Sequence, residues 1–239
     1  MHKYFAVIPA RKNSKGIKRK NLQKIGQKPM LQYSFEAVLG SCTLSYSILS
    51  SDDPEAISLA SHLGILAPFT RPSEFSQDNS KSTDVFFHAL KWDKTEFSGY
   101  PENLVVLQPT SPFRTGEDID EAVQQYEESK ADSLVSVCDV TQHPLDCITV
   151  DDKGKLSRVP LEEDKTKAGR QGYQKVYFID GGICISSVQR FLSEKTMFDS
   201  QSAIYVVKRS HGIDVDLPFD LEVARAMHEY RTTSNLFNL

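Results

Sequence analysis

Six cationic side chains surround a single glycine in residues 7–21, VIPARKNSKGIKRKN, which directly follow the first apolar run of the chain. They are Arg11, Lys12, Lys15, Lys18, Arg19 and Lys20. Gly16 lets the backbone turn sharply enough to aim N–H groups inward, and Ser14 and Asn21 add hydrogen-bonding side chains. This pattern favours a polyanion such as a triphosphate as the ligand, although a solvated surface loop would show the same run of charges.

Two aspartates near the carboxyl end form a second group that could do chemistry. Asp214 and Asp216 are two residues apart, so on an extended segment their carboxylates project to the same side and can share one hard cation, expected to be Mg²⁺. Polar residues at the end of a strand would give the same D-x-D spacing. The basic segment matches neither G-x-x-x-x-G-K-[ST] nor G-x-G-x-x-G, which excludes a Walker-type site and a dinucleotide fingerprint.

The charge distribution supports a local anion site. The whole chain of 239 residues has a formal net charge of −4, yet its first 35 residues carry nine Lys or Arg and no Asp or Glu. Such asymmetry argues against a general nucleic-acid surface. The four cysteines form no C-x-x-C pair, which disfavours a disulfide framework or a zinc site and fits a reducing cytoplasm. The chain has no apolar run long enough for a membrane span.

Strand-like and helix-like segments alternate along most of the chain and would position these groups. The alternation predicts an α/β fold with a mainly parallel, Rossmann-like sheet and helices on both faces, so ligands should lie beyond the carboxyl ends of the strands. The expected strands are 4–10, 44–51, 103–109, 132–138, 175–186 and 203–208. The expected helices are 29–40, 54–64, 82–92, 117–129 and 218–230, the third with a Ser or Thr cap.

The alternation stops at about residues 140–175, which are charged and interrupted by proline and glycine. Short alternating pieces around Lys153 and Gly154 predict a β-hairpin there. We interpret this region as a small subdomain inserted into one domain that spans residues 1–239.

Five blocks of the sequence together resemble the CMP-sialic acid synthetases, also called acylneuraminate cytidylyltransferases. They occur in the order of that family and cover almost the whole chain. The blocks are IPARKNSKGIKRKNL (8–22), RPSEFSQDNSKSTD (71–84), LQPTSPFR (107–114), RQGYQKVYFIDGGICI (170–185) and GIDVDLPFD (212–220).

The resemblance implies a reaction of CTP with a nine-carbon 2-keto sugar acid, giving a CMP-sugar and pyrophosphate. It implies that Arg11, Ser14, Lys15, Lys20 and Asn21 bind the triphosphate. Arg11 and Lys20 would stabilise charge on the phosphates, which nucleotidyl transfer needs more than a covalent nucleophile. Asp214 and Asp216 would be catalytic by holding Mg²⁺. The general base stays open between Asp216, the metal-held triphosphate and His143.

The other matched blocks imply the remaining substrate contacts. Arg71, Ser80 and Ser82 would present side-chain and backbone groups to the cytosine edge. Gln108 would contact the sugar acid, and the guanidinium of Arg170 would pair with its carboxylate.

Two positions depart from the family pattern. Asp180 stands where the family commonly has Asn, and Lys167 stands where it tends to have an acid. An acceptor-only carboxylate in place of an amide changes what can be bound. We therefore expect a related nonulosonic acid, such as a legionaminic acid, or a sugar carrying an amine that Asp180 pairs.

The resemblance further implies a homodimer, in which residues 140–175 are the dimerisation element and Lys165 and Lys167 approach the partner's site. Three alternatives stay open: a cytidylyltransferase for octulosonic acids, a nucleotide-sugar glycosyltransferase, and a CTP-binding module without turnover. A glycosyltransferase would share the acidic pair but would not need the basic segment after the first strand. Neither a nucleic acid nor a membrane is an expected partner.

Overall fold

The computed structural model describes residues 2–158 and 173–237. Its strands, in chain order, are β1 Tyr4–Ala10, β2 Lys24–Ile25, β3 Lys28–Pro29, β4 Tyr46–Ser51, β5 Asn103–Val106, β6 Ser133–Asp139, β7 Ile148–Val150, β8 Leu156–Arg158, β9 Tyr177–Ser187 and β10 Ala203–Val206. Its α-helices are α1 Met30–Gly40, α2 Pro54–His62, α3 Ser82–Phe97, α4 Gly116–Ser129, α5 Val188–Glu194 and α6 Pro218–Phe237.

Six strands form the central sheet in the order β10-β6-β9-β5-β1-β4. β1 pairs in parallel with β4 and β5, and β10 pairs in parallel with β6. β9 is antiparallel to both of its neighbours, β5 and β6. The predicted mainly parallel α/β sheet is therefore confirmed, with one antiparallel strand at its centre.

The sheet is buried on both faces, as β1 shows. Successive side chains of a strand point to opposite faces, and those of Ala6 and Ile8 pack with α1, α2 and α4, whereas those of Phe5 and Val7 pack with α3 and α5. Both sets are buried, which explains why β1 reads as a continuous apolar run. Helices lie on both faces, as predicted.

The predicted start of α3 agrees with the structure, but its predicted end and cap do not, because the helix continues to Phe97 rather than ending at residue 92. Lys81 is the cap residue of α3, without a side-chain capping bond in the described part of the chain, and Ser82 is already the first helical residue. The expected Ser or Thr cap is therefore wrong. α6 continues to Phe237 rather than ending near residue 230.

The predicted hairpin around Lys153 and Gly154 is confirmed, because β7 and β8 pair antiparallel on either side of it. Residues 159–172 of the expected inserted subdomain lie outside the described residues. The dimerisation role of this region and the single-domain assignment therefore stay predictions. Among the described helices, none is both long and apolar enough to cross a membrane.

Candidate active site

A cleft of about 680 Å³ opens beyond the carboxyl ends of β1 and β5, where the sheet topology predicts a ligand site. Most of the candidate residues lie around this cleft. Those that line it are Arg11, Ser14, Lys15, Lys20, Asn21, Arg71, Ser80, Ser82, Gln108 and Asp216. Asp180 and Asp214 are not among the described lining residues, and Arg170 lies outside the part of the chain that the structure describes.

The basic loop, residues 11–21, meets the acidic pair directly. Lys20 Nζ lies 2.7 Å from Asp216 Oδ1, and the Lys20 side chain is only 13% exposed. A Cβ at Gly16 would collide with the carbonyl oxygen of Asp216, so a glycine there lets the two segments pack backbone to backbone. Groups almost 200 residues apart in sequence therefore face one cleft.

Asp214 lies half-buried within electrostatic range of the same groups. Burial raises its pKa to about 6, with the charges of Asp216 and Asp180 acting in the same direction, while a hydrogen bond from Thr110 and the charge of Lys20 oppose the rise. The amide N–H of Val215 donates to the Thr110 carbonyl oxygen at 2.8 Å, which ties the acidic segment to the loop after β5. A cation near this pair would favour the ionised carboxylates.

Arg11 reaches a different carboxylate. Its guanidinium donates to Asp78 Oδ1 at 2.8 Å and to the Gln77 carbonyl oxygen at 3.2 Å. The Asn21 amide donates to the Arg11 carbonyl oxygen at 3.0 Å, so Asn21 holds the start of the basic loop. In this structure Arg11 and Lys20 are thus each neutralised by one aspartate.

Arg19 points away from this arrangement. It forms ion pairs with Asp53 and Glu55 at 3.1 and 2.9 Å, at the beginning of α2. Three of the six cations of the loop, Arg11, Lys15 and Lys20, line the cleft. The charge run therefore combines a structural anchor with cleft cations.

Two of the residues expected to contact the cytosine, Arg71 and Ser80, form hydrogen bonds within the protein. The Arg71 side chain is buried and bonds the hydroxyl and the carbonyl oxygen of Ser50, and burial lowers its pKa to about 10. Ser80 Oγ donates to the Glu74 carbonyl oxygen at 2.7 Å and accepts from the Gln77 amide at 3.0 Å. Arg71 and Ser80 therefore shape this side of the cleft, and Ser82 lines it at the first turn of α3.

The Gln108 region, residues 108–114 and 180–182, contains a residue that the sequence analysis missed. Arg114 is 5% exposed and donates to the carbonyl oxygens of Gln108 and Gly182 at 3.0 and 2.6 Å and to Ser34 Oγ at 2.9 Å. The residue was visible in the block LQPTSPFR. Its burial was not, because two of its three acceptors, the Gly182 carbonyl oxygen and the Ser34 hydroxyl, are distant in sequence.

Asp180 is 3% exposed and accepts hydrogen bonds from the Ser136 hydroxyl and the Gly182 amide. This placement does not support direct pairing with a substrate amine. Its charge instead acts on Asp214 and Arg114.

His143 has both ring nitrogens engaged. Nδ1 accepts from the Leu145 amide at 3.2 Å, so Nε2 carries the proton and donates to the Gln174 carbonyl oxygen at 2.9 Å. The ring also packs on Tyr173. These contacts favour a structural role for His143 over a role as general base.

The fold and the site define a class of α/β protein with a charged, ligand-sized cleft at the carboxyl edge of its sheet. The same fold occurs in a CMP:2-keto-3-deoxy-manno-octonic acid synthetase solved in complex with CTP, with a TM-score of 0.70 and 18% identity. The match covers 96% of this chain and 99% of that one.

Residues 5–214 match the model of the cytidylyltransferase family, and this chain belongs to that family. It is 32% identical over 236 residues to the N-acylneuraminate cytidylyltransferase of Escherichia coli O18:K1:H7, covering 98% of this chain but 54% of that protein. The chain thus spans about half the length of that relative. It is also 27% identical to the pseudaminic acid cytidylyltransferase of Campylobacter jejuni, covering 95% of this chain and 97% of that protein.

Proposed function

We propose that this protein transfers CMP from CTP to a nonulosonic 2-keto sugar acid, giving a CMP-sugar and pyrophosphate. The observation that carries the proposal is the 2.7 Å contact between Lys20 and Asp216 in one cleft. It brings the cations proposed to bind phosphate and a carboxylate proposed to bind the metal to the same place. The family of the chain and the sugar acids named for two of its relatives support this reaction over the other chemistries of similar folds.

The triphosphate would lie along the basic loop. Arg11 and Lys20 would exchange their aspartate partners for phosphate oxygens, while Lys15, Ser14 and the backbone near Gly16 would add donors. The carboxylates of Asp78 and Asp216 are exposed, so water can solvate them once the cations turn to phosphate. Cations placed where charge develops on the departing pyrophosphate would lower the barrier.

Asp214 and Asp216 fit a magnesium ion that is shared with the nucleotide. Mg²⁺ is usually held by one or two carboxylates together with substrate phosphates and water, and the pair supplies two such oxygen ligands. The raised pKa of Asp214, caused first by burial and then by neighbouring carboxylates, is typical of a site that gains from a cation. When bound, the ion would neutralise phosphate charge and lower the pKa of the attacking hydroxyl.

The sugar acid would contact Gln108, with Arg170 as the proposed partner of its carboxylate. Arg71, Ser80 and Ser82 would bound the site of the cytosine, with backbone groups of the 77–80 loop as base contacts. Gln108 sits directly after β5 and lines the same cleft as Lys20. A single cleft could therefore hold both substrates.

A homodimer is a further part of the proposal. Phe178 and Ile179 of β9 are about half exposed, at 51% and 48%, and Ile148, Val150 and Leu156 of the β7–β8 hairpin are exposed to a similar degree. We propose that these side chains contribute to the dimer surface, since contiguous exposed apolar patches mark interaction sites. We expect sedimentation at micromolar concentration to give a dimer, and a monomer would contradict this part.

We further place the protein in the cytoplasm. Cys42, Cys138, Cys147 and Cys184 are all free thiols, and Cys42 and Cys147 are exposed. Exposed free thiols persist more readily in a reducing compartment than in an oxidising one.

A pyrophosphate-release screen tests the reaction. Four nucleoside triphosphates are each combined with N-acetylneuraminate, a legionaminate, a pseudaminate and an octulosonate. We expect release only with CTP, and with a nonulosonic acid above the octulosonate. Binding of CTP without release from any pair would favour the binding module. Transfer of sugar from a nucleotide sugar without pyrophosphate release would favour the glycosyltransferase.

The sugar preference is tested in the same assay with Asp180→Asn beside the parent. We expect the parent to prefer a substituted nonulosonic acid. A clear preference of the parent for N-acetylneuraminate would exclude that specificity.

A further inference from the structure

Arg114 joins three separate segments through one buried guanidinium. Its acceptors are the Gln108 carbonyl oxygen after β5, the Gly182 carbonyl oxygen in β9 and the Ser34 hydroxyl in α1. The planar guanidinium presents its donors in a fixed geometry, so it sets the distances between the groups that it binds. Arg114 therefore determines how the loop after β5 sits against β9.

The charge of Arg114 is compensated inside the protein. Asp180 and Asp118 lie within electrostatic range, and although burial lowers the pKa of Arg114 to about 10, the group stays protonated at neutral pH. A buried cation with acidic neighbours and three hydrogen bonds is a stable arrangement. The Nε of Arg114 has no hydrogen-bond partner among the described residues.

The Gln108 side chain packs against Gly181 in β9. Gly181 has φ +65°, and a Cβ at this position would lie 3.2 Å from Gln108 Nε2. Since Arg114 bonds the backbone of both Gln108 and Gly182, it fixes the two sides of this contact. The direction in which the Gln108 amide enters the cleft follows from that spacing.

We propose that Arg114 is a positioning residue, which holds the Gln108 amide against Gly181 and thereby sets recognition of the sugar acid but not of CTP. The proposal rests on the proposed function, because it assigns a selective role within that reaction. A purely structural role of Arg114 would affect both substrates alike.

Two variants perturb the contact from opposite sides. Arg114→Lys keeps the positive charge but loses the planar guanidinium that bonds three acceptors at once. Gly181→Ala pushes the Gln108 amide while leaving Arg114 in place. Arg190→Lys is the matched control for the first, because Arg190 of α5 is also mostly buried and bonds Thr196 and Asp199, which follow that helix. Gly64→Ala is the control for the second, because Gly64 has φ +78° and an added Cβ meets no described atom within 4 Å.

Steady-state kinetics with each substrate varied, together with calorimetric titration of CTP, test the proposal. We expect Arg114→Lys and Gly181→Ala to lower kcat/KM for the sugar acid by about 10-fold to 10²-fold, as displacement of a positioning contact can. The KM and Kd for CTP should stay unchanged. Arg190→Lys and Gly64→Ala should change neither substrate selectively, even where they lower Tm.

Equal losses for CTP and the sugar acid in Arg114→Lys and Gly181→Ala would overturn the proposal, as would parent-like kinetics in Gly181→Ala. If Arg114→Lys fails to fold, the comparison of Gly181→Ala with Gly64→Ala decides. A parent that releases no pyrophosphate with any sugar acid would overturn the proposed function and this inference with it. An active parent with nonselective variants would overturn the inference alone.

Discussion

In the basic loop, Lys20 and Arg11 form ion pairs with the exposed carboxylates of Asp216 and Asp78, whereas in the Gln108 region Arg114 is buried and bonded to backbone. Because these carboxylates are exposed, water can solvate them when the cations turn to a ligand, so the ion pairs can change partners. A buried guanidinium cannot leave its acceptors without leaving them unsatisfied. The basic loop is therefore suited to exchange of counter-ions and the Gln108 region to fixed geometry.

The largest expected effect is at Lys20. Lys20→Ala should lower kcat/KM for CTP by about 10²-fold or more, because a charge contact in the transition state is lost. Lys18→Ala is the control, since Lys18 is exposed in the same loop and is not among the described lining residues. Pyrophosphate release measures both, and Tm shows whether folding is retained. Equal rates in the two variants would remove the distinction between cleft cations and other cations of the loop.

Asp214→Asn should raise the Mg²⁺ concentration for half-maximal rate by at least about 10-fold. Loss of a residue that only orients a metal ligand already lowers metal affinity by about 10-fold or more, and loss of the ligand itself should lower it at least as much. Calorimetric titration of Mg²⁺ into the CTP-bound variant gives a second readout. Glu222→Gln, which breaks an exposed pair with Arg225 on α6, should leave the Mg²⁺ dependence unchanged. An unaltered Mg²⁺ dependence in Asp214→Asn would contradict the metal assignment.

Asp93 provides a contrast with Arg114, because both are buried ionisable residues but only the Arg114 side chain has hydrogen-bond partners among the described residues. It is fully buried in α3, and neither carboxylate oxygen has a hydrogen-bond partner among the described residues. Burial raises its pKa to about 6, so ionisation above that pH costs the folded state free energy. Asp93→Asn should raise the free energy of unfolding by about 1–3 kcal/mol at pH 8, because the neutral amide removes the unpaired negative charge that the folded parent buries at this pH.

The gain should disappear near pH 4, where Asp93 is protonated in the folded parent. Between these values the stability that Asp93 contributes to the parent falls as pH rises. Asp120→Asn is the control, for which we expect a change in stability of the opposite sign. Burial would raise the pKa of Asp120, but hydrogen bonds from Cys42, Ser41 and Thr43 lower it overall, so this variant should lose stability at pH 8. Urea unfolding at both pH values measures the four differences, and a stability gain in Asp93→Asn independent of pH would contradict the account.

The smallest expected effect is at Asp78. Asp78→Asn removes the counter-ion of Arg11 and should tighten CTP binding by up to about 5-fold, the range of an exposed ion pair. The gain should shrink at high salt, because exposed charges are screened. Titration of CTP at two salt concentrations measures it. Weaker binding in this variant would mean that the ion pair holds Arg11 in its binding position rather than competing with CTP.

The sequence was sufficient for features that are local or periodic. Alternating apolar runs predicted the mainly parallel sheet, and the motifs predicted the basic loop and the acidic pair that meet at Lys20 and Asp216. The sequence did not indicate that Arg19, unlike Arg11 and Lys20, points away from the cleft. The direction of its side chain depends on ion pairs with Asp53 and Glu55 at the beginning of α2. The sequence analysis also missed Arg114, whose acceptors are mainly backbone carbonyls with no side-chain signature.

Calorimetric titration of CTP, with and without Mg²⁺, into the parent, Lys20→Ala and Asp216→Asn tests most directly whether the basic loop and the acidic pair bind one triphosphate together. The account predicts one CTP per chain, weaker binding in Lys20→Ala, and an effect of Mg²⁺ that is large in the parent and reduced in Asp216→Asn. Parent-like affinity in Lys20→Ala together with parent-like Mg²⁺ dependence in Asp216→Asn would contradict it.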